Sequence, residues 1–203
     1  MTPASISVPA DLTTEGLITE RRAFFRAAGA ATLSATAVAL LAGCESMAQG
    51  GSMTAADVNI LNVALGLEHE AINAYQLGAE SGLLQQPVLN TAVAFQTHHK
   101  EHRDALIATI RKMGGSPVAE KPKAEYARAL NAGSLRNQAD VLKLAQRLER
   151  GAANAYLGVI PSFGDKGLAQ VAARLAADET MHWTALTSAM GEMLPQKALT
   201  FGA

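Results

Sequence analysis

Two stretches, LEHEAINAY at residues 67–75 and LERGAANAY at residues 148–156, decide the fold of this 203-residue chain. They share six residues at an offset of 81 positions. HHKEHRDAL at 98–106 and DETMHWTAL at 178–186 share a His-x-x-Ala-Leu pattern at an offset of 80 positions. Two matches at nearly the same offset indicate one helical hairpin present twice, with the copies packed about a pseudo-twofold axis.

Apolar residues around these stretches recur three and four positions apart, which is typical of long amphipathic helices. Helix starts and stops are marked by a capping pattern at Thr54 and Asp57, by prolines and by glycines. The pattern predicts helices over 54–82, 87–113, 134–161 and 165–193. Each would have about 27 residues and a length of about 40 Å at 1.5 Å per residue.

The links between these helices predict how they pack. The first and third links, near 82–86 and 161–164, are short and therefore predict antiparallel hairpins. The middle link, over about 114–133, is long enough to cross the full length of a bundle. Helix-favouring residues are abundant and aromatic residues make up only 4% of the chain. We therefore expect an all-α four-helix bundle with a long central crossover over 54–193 and a tail over 194–203.

Composition argues against one class of partner. The chain has 17 Lys and Arg against 18 Asp and Glu, a formal net charge of −1. That balance leaves no basic excess for a phosphate backbone, and few aromatic residues are available for stacking on bases. Nucleic acid is therefore not an expected partner.

The first 43 residues read as a targeting segment rather than as part of the fold. Arg21 and Arg22 form a twin-arginine pair, and an apolar stretch of about fifteen residues follows them. It ends in Leu-Ala-Gly before Cys44, which resembles a lipoprotein cleavage site at the single cysteine of the chain. We expect export by the twin-arginine route, lipidation of Cys44, and a tether over 44–53. An uncleaved arm or a cleaved soluble precursor are the alternatives.

Charged residues interrupt the apolar seams at one level of the predicted bundle. No Lys or Arg occupies a seam, and unpaired carboxylates in a helical core cost several kcal/mol each. Glu179 and His182 lie three residues apart and can reach the same ion. Carboxylate oxygens with imidazole nitrogens suit iron, manganese or zinc. The seam residues that should meet around a bound cation are Glu68, His99, His102, Glu149, Glu179 and His182.

With these residues and its doubled hairpin, the chain resembles the ferritin-like family. Its dimetal sites use one glutamate from each of two helices and a Glu-x-x-His from each of the other two. The resemblance implies that Glu68 and Glu149 are the single glutamates and that Glu179 with His182 forms one Glu-x-x-His. His102 matches the histidine of the second motif. The branch it most resembles is the exported ferritin-like domain proteins.

His99 stands where the second motif would have its glutamate. A neutral histidine cannot bridge two metals, so the site has three carboxylates where the family has four. Two divalent ions would then keep a residual charge of about +1, which predicts an asymmetric pair or one tight and one weak ion.

Other nearby residues have simpler interpretations. His69, Glu70, His98 and Glu101 lie beside the seams and are predicted to be solvated or to support the ligands. Tyr75 and Tyr156 are predicted to fill the core, with a redox relay as the alternative. Asp140 and Asp178 are interpreted as part of a solvated helix face.

The sequence supports more than one function. The first hypothesis is a membrane-tethered, periplasm-facing metalloprotein whose metal, iron before manganese or zinc, reacts with oxygen or peroxide, with a homodimer as one arrangement. The second is a non-catalytic binding or stress protein whose metal serves only the fold. A storage cage is a third, weaker one because a lipid on every subunit would obstruct a closed shell.

Overall fold

The computed structural model describes residues 53–202, so the twin-arginine segment, Cys44 and most of the predicted tether lie outside the described residues. Within 53–202 the fold is all-helical, without strands. Helix α1 spans Met53–Glu80, α2 spans Gln86–Lys112, α3 spans Lys123–Ala129, α4 spans Gln138–Val159 and α5 spans Lys166–Ala189. The predicted all-α fold with four long helices is confirmed, and α3 is a short helix that the pattern did not predict.

The four long helices form two antiparallel hairpins. Helix α1 packs along α2, α4 packs along α5, and α1 and α4 join the two pairs. The link after α1 turns sharply because Gly82 adopts a φ of 70°, a conformation that costs glycine little. This arrangement is the one that the repeat predicts.

The central crossover, residues 113–137, runs beside α1 before α4 begins. The Asn62 side chain holds it at two points, donating to the Ser116 carbonyl at 3.1 Å and accepting from the Val118 amide at 2.7 Å. Farther along, Tyr126 and Leu130, in and just after α3, bury their side chains with Ala74 of α1. The predicted crossover is therefore present, but it is anchored and partly helical.

One predicted helix start differs from the structure. Helix α4 begins at Gln138 rather than near Ser134, because the Asn137 side chain accepts a hydrogen bond from the Asp140 amide at 3.0 Å and caps the helix there. Thr54 lies within α1, and one turn farther along that helix comes Asp57. Its buried carboxylate accepts a hydrogen bond from the Gly164 amide at 2.9 Å, which ties α1 to the turn before α5.

Helix α5 ends at Ala189, four residues before the predicted end. Gly191 adopts a φ of 70°, and the Glu192 amide bonds back to the Thr187 carbonyl at 3.1 Å, which closes the last turn. The tail then returns to the bundle, where Phe201 packs edge-on against Trp183 with ring centroids 5.0 Å apart.

The core changes character along the bundle axis. The half that holds the start of α1 and the end of α2 is filled by large aliphatic side chains, including Leu61, Leu65, Leu106 and Ile110. A buried polar layer follows at mid-bundle. None of the helices described here is both long enough and apolar enough to cross a membrane.

Candidate metal centre

The structure brings all six predicted residues together in the middle of the bundle. Every long helix contributes: Glu68 comes from α1, His99 and His102 from α2, Glu149 from α4, and Glu179 with His182 from α5. All six are buried, and Glu179 is 0% exposed. The seam positions in the sequence therefore predicted this convergence of ionisable side chains.

The ligand atoms fall into two overlapping sets of four. One set joins Glu68, His99, His102 and Glu179, and the other joins His99, Glu149, Glu179 and His182. Within each set the atoms that could bind an ion lie within 4.8 Å of one another. His99 and Glu179 belong to both sets, so they occupy the shared centre of the site.

His99 lies between carboxylates of the two hairpins. Its Nδ1 is 2.8 Å from Glu68 Oε2 and its Nε2 is 3.2 Å from Glu149 Oε1. Burial opposes a charge on the ring, but hydrogen bonds to Glu149 and Glu68 raise the pKa of His99 well above its ordinary value. Both ring nitrogens can donate only in the charged imidazolium. A protonated His99 can therefore donate to a carboxylate of each hairpin.

The other two histidines also pair with carboxylates. His102 Nδ1 lies 3.3 Å from Glu179 Oε1, and His182 Nδ1 lies 3.3 Å from Glu149 Oε2. Burial opposes protonation of His102, but the carboxylates of Glu179 and Glu68 raise its pKa to about 10. The imidazoles face these glutamates directly and can neutralise them without Lys or Arg.

The same pairs stabilise two of the carboxylates in their charged form. Burial alone would raise the pKa of Glu68, but its contacts with His102 and His99 lower it to about 2. Contacts with His182 and His99 likewise outweigh burial and lower the pKa of Glu149. Glu179 differs, because burial dominates and raises its pKa.

The polar atoms of Glu179 and His102 test whether a metal ion fits. Among the described residues, both carboxylate oxygens of Glu179 and Nδ1 of His102 are buried without a hydrogen-bond partner, because the 3.3 Å contact between His102 Nδ1 and Glu179 Oε1 lacks hydrogen-bond geometry. An unsatisfied buried polar atom costs about 1–3 kcal/mol. A cation bound by these atoms would remove that cost, and the oxygen and nitrogen donor set is the one that iron, manganese or zinc prefers. The residues therefore fit a metal ion.

In His102 and His182, the Nε2 atom faces away from the carboxylates and contacts the opposite hairpin. His102 Nε2 lies 3.2 Å from Asp178 Oδ2, and His182 Nε2 lies 2.9 Å from His98 Nδ1. Such partners fix the orientation of a ligating imidazole. Asp178 keeps 42% of its side chain exposed, as expected for a solvated helix face, but it also contacts His102. The sequence repeat could have indicated this contact. Its offset of 80 positions aligns His98 with Asp178, and each stands directly before the His-x-x-His or Glu-x-x-His pattern of its helix.

Tyr75 and Tyr156 also do more than fill the core. The Tyr75 hydroxyl donates to Glu149 Oε1, and the Tyr156 hydroxyl donates to Glu68 Oε1. Burial and the nearby carboxylate charge raise the pKa of both phenols, so both stay protonated. Spacing along a single helix does not reveal these contacts. In antiparallel helices, each tyrosine reaches the other helix's glutamate instead.

The remaining polar residues beside the seams lie outside both sets. His69 is buried with Nε2 3.3 Å from the Val118 carbonyl, so it contacts the crossover. Glu70 is half-buried, and Glu101 is exposed. Asp140 supports the start of α4, where Oδ2 accepts a hydrogen bond from the Arg136 amide at 2.9 Å.

Comparison with known proteins now places the fold. Curated protein sequences give no significant match. A crystal structure of a conserved hypothetical protein from Mycobacterium tuberculosis is similar, with 21% identity, a TM-score of 0.59, and coverage of 73% of this chain and 99% of that chain. At that identity the likeness is one of fold. The model of the ferritin-like domain matches residues 56–192, a span that includes all six residues of the candidate centre, and the chain therefore belongs to the ferritin-like domain family.

Proposed function

We propose that this chain is an exported ferritin-like protein that binds a pair of metal ions, iron first and manganese or zinc as alternatives, for redox chemistry with oxygen or peroxide. The observation that carries the proposal is the pair of overlapping ligand sets centred on His99 and Glu179. The unpartnered oxygens of Glu179 support it, because they lie in both sets.

The six ligands would leave coordination positions open on two ions, and a redox metal with open positions supplies electrons to a small oxidant. The residues of the chain would hold and orient the ions. Tyr75 and Tyr156 hold carboxylates through hydrogen bonds across the hairpins, and Asp178 and His98 hold the imidazoles. His99 brings no negative charge, so one ion would bind tightly and the other weakly.

The location of the protein is also part of the proposal. We infer export through Arg21 and Arg22, lipidation at Cys44 and a periplasm-facing bundle, with a homodimer as one arrangement at the membrane. The support is the sequence of the targeting segment. Replacing Cys44 with serine should release the protein from the membrane fraction, whereas a variant that stays in that fraction would contradict the lipid anchor.

Consumption of oxygen and peroxide by iron-loaded protein tests the redox function. Glu68→Gln removes one buried carboxylate of the site and should abolish turnover, because the ion that Glu68 helps to hold loses a charged ligand. Glu101→Gln is the matched control, since Glu101 is an exposed glutamate and should leave turnover unchanged. Equal turnover in both variants would contradict the proposal, as would a wild-type protein that retains no metal.

A second function follows from a specific observation. Three imidazoles already pair with the three buried carboxylates, so the bundle can balance these charges without a metal. That arrangement favours a non-catalytic bundle in which a metal, when bound, only stabilises the fold. Reloaded protein that melts at a higher temperature than the stripped form but consumes neither oxygen nor peroxide would favour this second function.

A further inference from the structure

A cavity opens into the bundle on the side of the polar layer opposite the filled core. All four long helices line it, and many of its walls are small residues, among them Gly78, Ala92, Ala145 and Ala189. It offers about 70 Å³ of internal space, and its mouth opens near the links before α2 and α4. Larger aliphatic side chains, among them Leu84, Val88 and Leu142, complete the lining. The small side chains therefore leave space at this end of the bundle.

The lining of the cavity is almost entirely apolar. None of the described residues that line it is acidic, basic or a histidine. Only Tyr75 and Thr91 carry side-chain hydroxyl groups there, and both hydroxyls are already used. Tyr75 donates to Glu149, and Thr91 Oγ1 donates to the Pro87 carbonyl at 3.2 Å. A charged or strongly polar molecule would lose its hydration here without gaining partners.

Tyr75 connects this cavity to the candidate centre. Its side chain forms part of the inner wall, its hydroxyl bonds to Glu149, and its ring centroid lies 5.4 Å from that of His99. The equivalent residue of the repeat, Tyr156, is only 2% exposed and packs within the filled core cluster. The candidate metal centre therefore faces the open apolar cavity on its Tyr75 side and the filled core on its Tyr156 side.

We propose that this cavity binds a small, uncharged, apolar molecule one side chain away from the candidate metal centre, with Tyr75 between them. An apolar cavity of this kind excludes charged groups and gains the full benefit of removing an apolar molecule from water. That the bound molecule is a substrate of the metal centre rests on the proposed function. That the cavity binds such a molecule at all depends only on the cavity.

Toluene is a suitable probe, and benzoate is its charged counterpart of nearly the same size. Calorimetric titration of the metal-free full chain should show saturable binding of toluene, and benzoate should not bind. Ala92→Leu places a larger side chain at a buried lining position and should weaken toluene binding about ten-fold or more, since the probe needs that space. Ala94→Leu, an exposed position on the same helix, should leave binding unchanged.

Three results would overturn the inference: no saturable binding of toluene, binding of benzoate with similar affinity, or equal toluene affinity in the Ala92→Leu and Ala94→Leu variants. Where Ala92→Leu fails to fold, Ala145→Leu adds bulk to another wall of the cavity and decides in the same way.

Metal content of the same protein after reloading with iron and dialysis separates this inference from the proposed function. Toluene binding without retained metal supports the cavity and contradicts the metal centre. Retained metal and turnover without toluene binding contradict the cavity alone.

Discussion

The two hairpins share one scaffold but carry different chemistry at equivalent positions. Helix α2 has His98 and His99 before its final histidine, where α5 has Asp178 and Glu179. Both copies keep the same geometry, since each final histidine turns Nδ1 toward the carboxylates and Nε2 toward the other hairpin. The comparison teaches that the repeat preserved the packing while the charge of the two halves diverged.

The largest expected effect comes from the residue that both ligand sets share. Glu179→Gln should weaken retention of both ions by more than about 100-fold, beyond the 10–100-fold typical of losing a residue that only supports a ligand. Glu149→Gln is the matched variant, because Glu149 belongs to only one set, and it should weaken only the ion held by that set. Competition with chelators of graded affinity measures both. Equal losses in the two variants would show that the sets are not independent.

Making the two halves alike at one position should change both stability and metal content. His99→Glu replaces the imidazolium between Glu68 and Glu149 with a fourth carboxylate, so the metal-free protein should lose about 3–5 kcal/mol of unfolding free energy. Metal should restore that stability, and the number of ions retained per chain should rise from one to two. Urea denaturation with and without metal measures the first effect. A variant that binds no more metal than the wild type would contradict the explanation based on charge.

The outer partners give a smaller and graded difference. Asp178→Asn should weaken metal binding about ten-fold, because a carboxylate makes the imidazole of His102 a better ligand than a neutral partner does. His98→Asn should have less effect, whereas His98→Asp should tighten binding by making the two halves alike. Chelator competition measures all three affinities. An Asp178→Asn variant with unchanged affinity would remove Asp178 from the site.

The smallest expected effects concern the two tyrosines. Tyr75→Phe and Tyr156→Phe each remove a hydrogen bond to a buried carboxylate and should lower the unfolding free energy by about 1–2 kcal/mol. Urea denaturation of the metal-free protein measures the losses. Because Tyr75 borders the cavity and Tyr156 lies in the filled core, Tyr75→Phe should also change toluene affinity and Tyr156→Phe should not. No loss in either variant would mean that other contacts hold the carboxylates.

The patterns in the chain predicted most of the fold and the position of the site. The spacing of apolar residues predicts long helices. Glu68 and Glu179 could be recognised because a charge at a seam position is energetically costly. Helix α3 escaped prediction because a seven-residue helix has too few turns to show a period, and its stability comes from burying Tyr126 against α1. The start of α4 depended on the local capping bond of Asn137.

The amino-acid sequence by itself determined the periodic helices, their duplication and the level at which charged residues enter the core. These features depend only on spacing along one helix. Only the tertiary structure decided which side chains meet across helices. It placed His99 between Glu68 and Glu149, set Asp178 beside His102 and left a cavity behind Tyr75. The physical reason is that such contacts depend on the register and direction of neighbouring helices, which no single helix encodes.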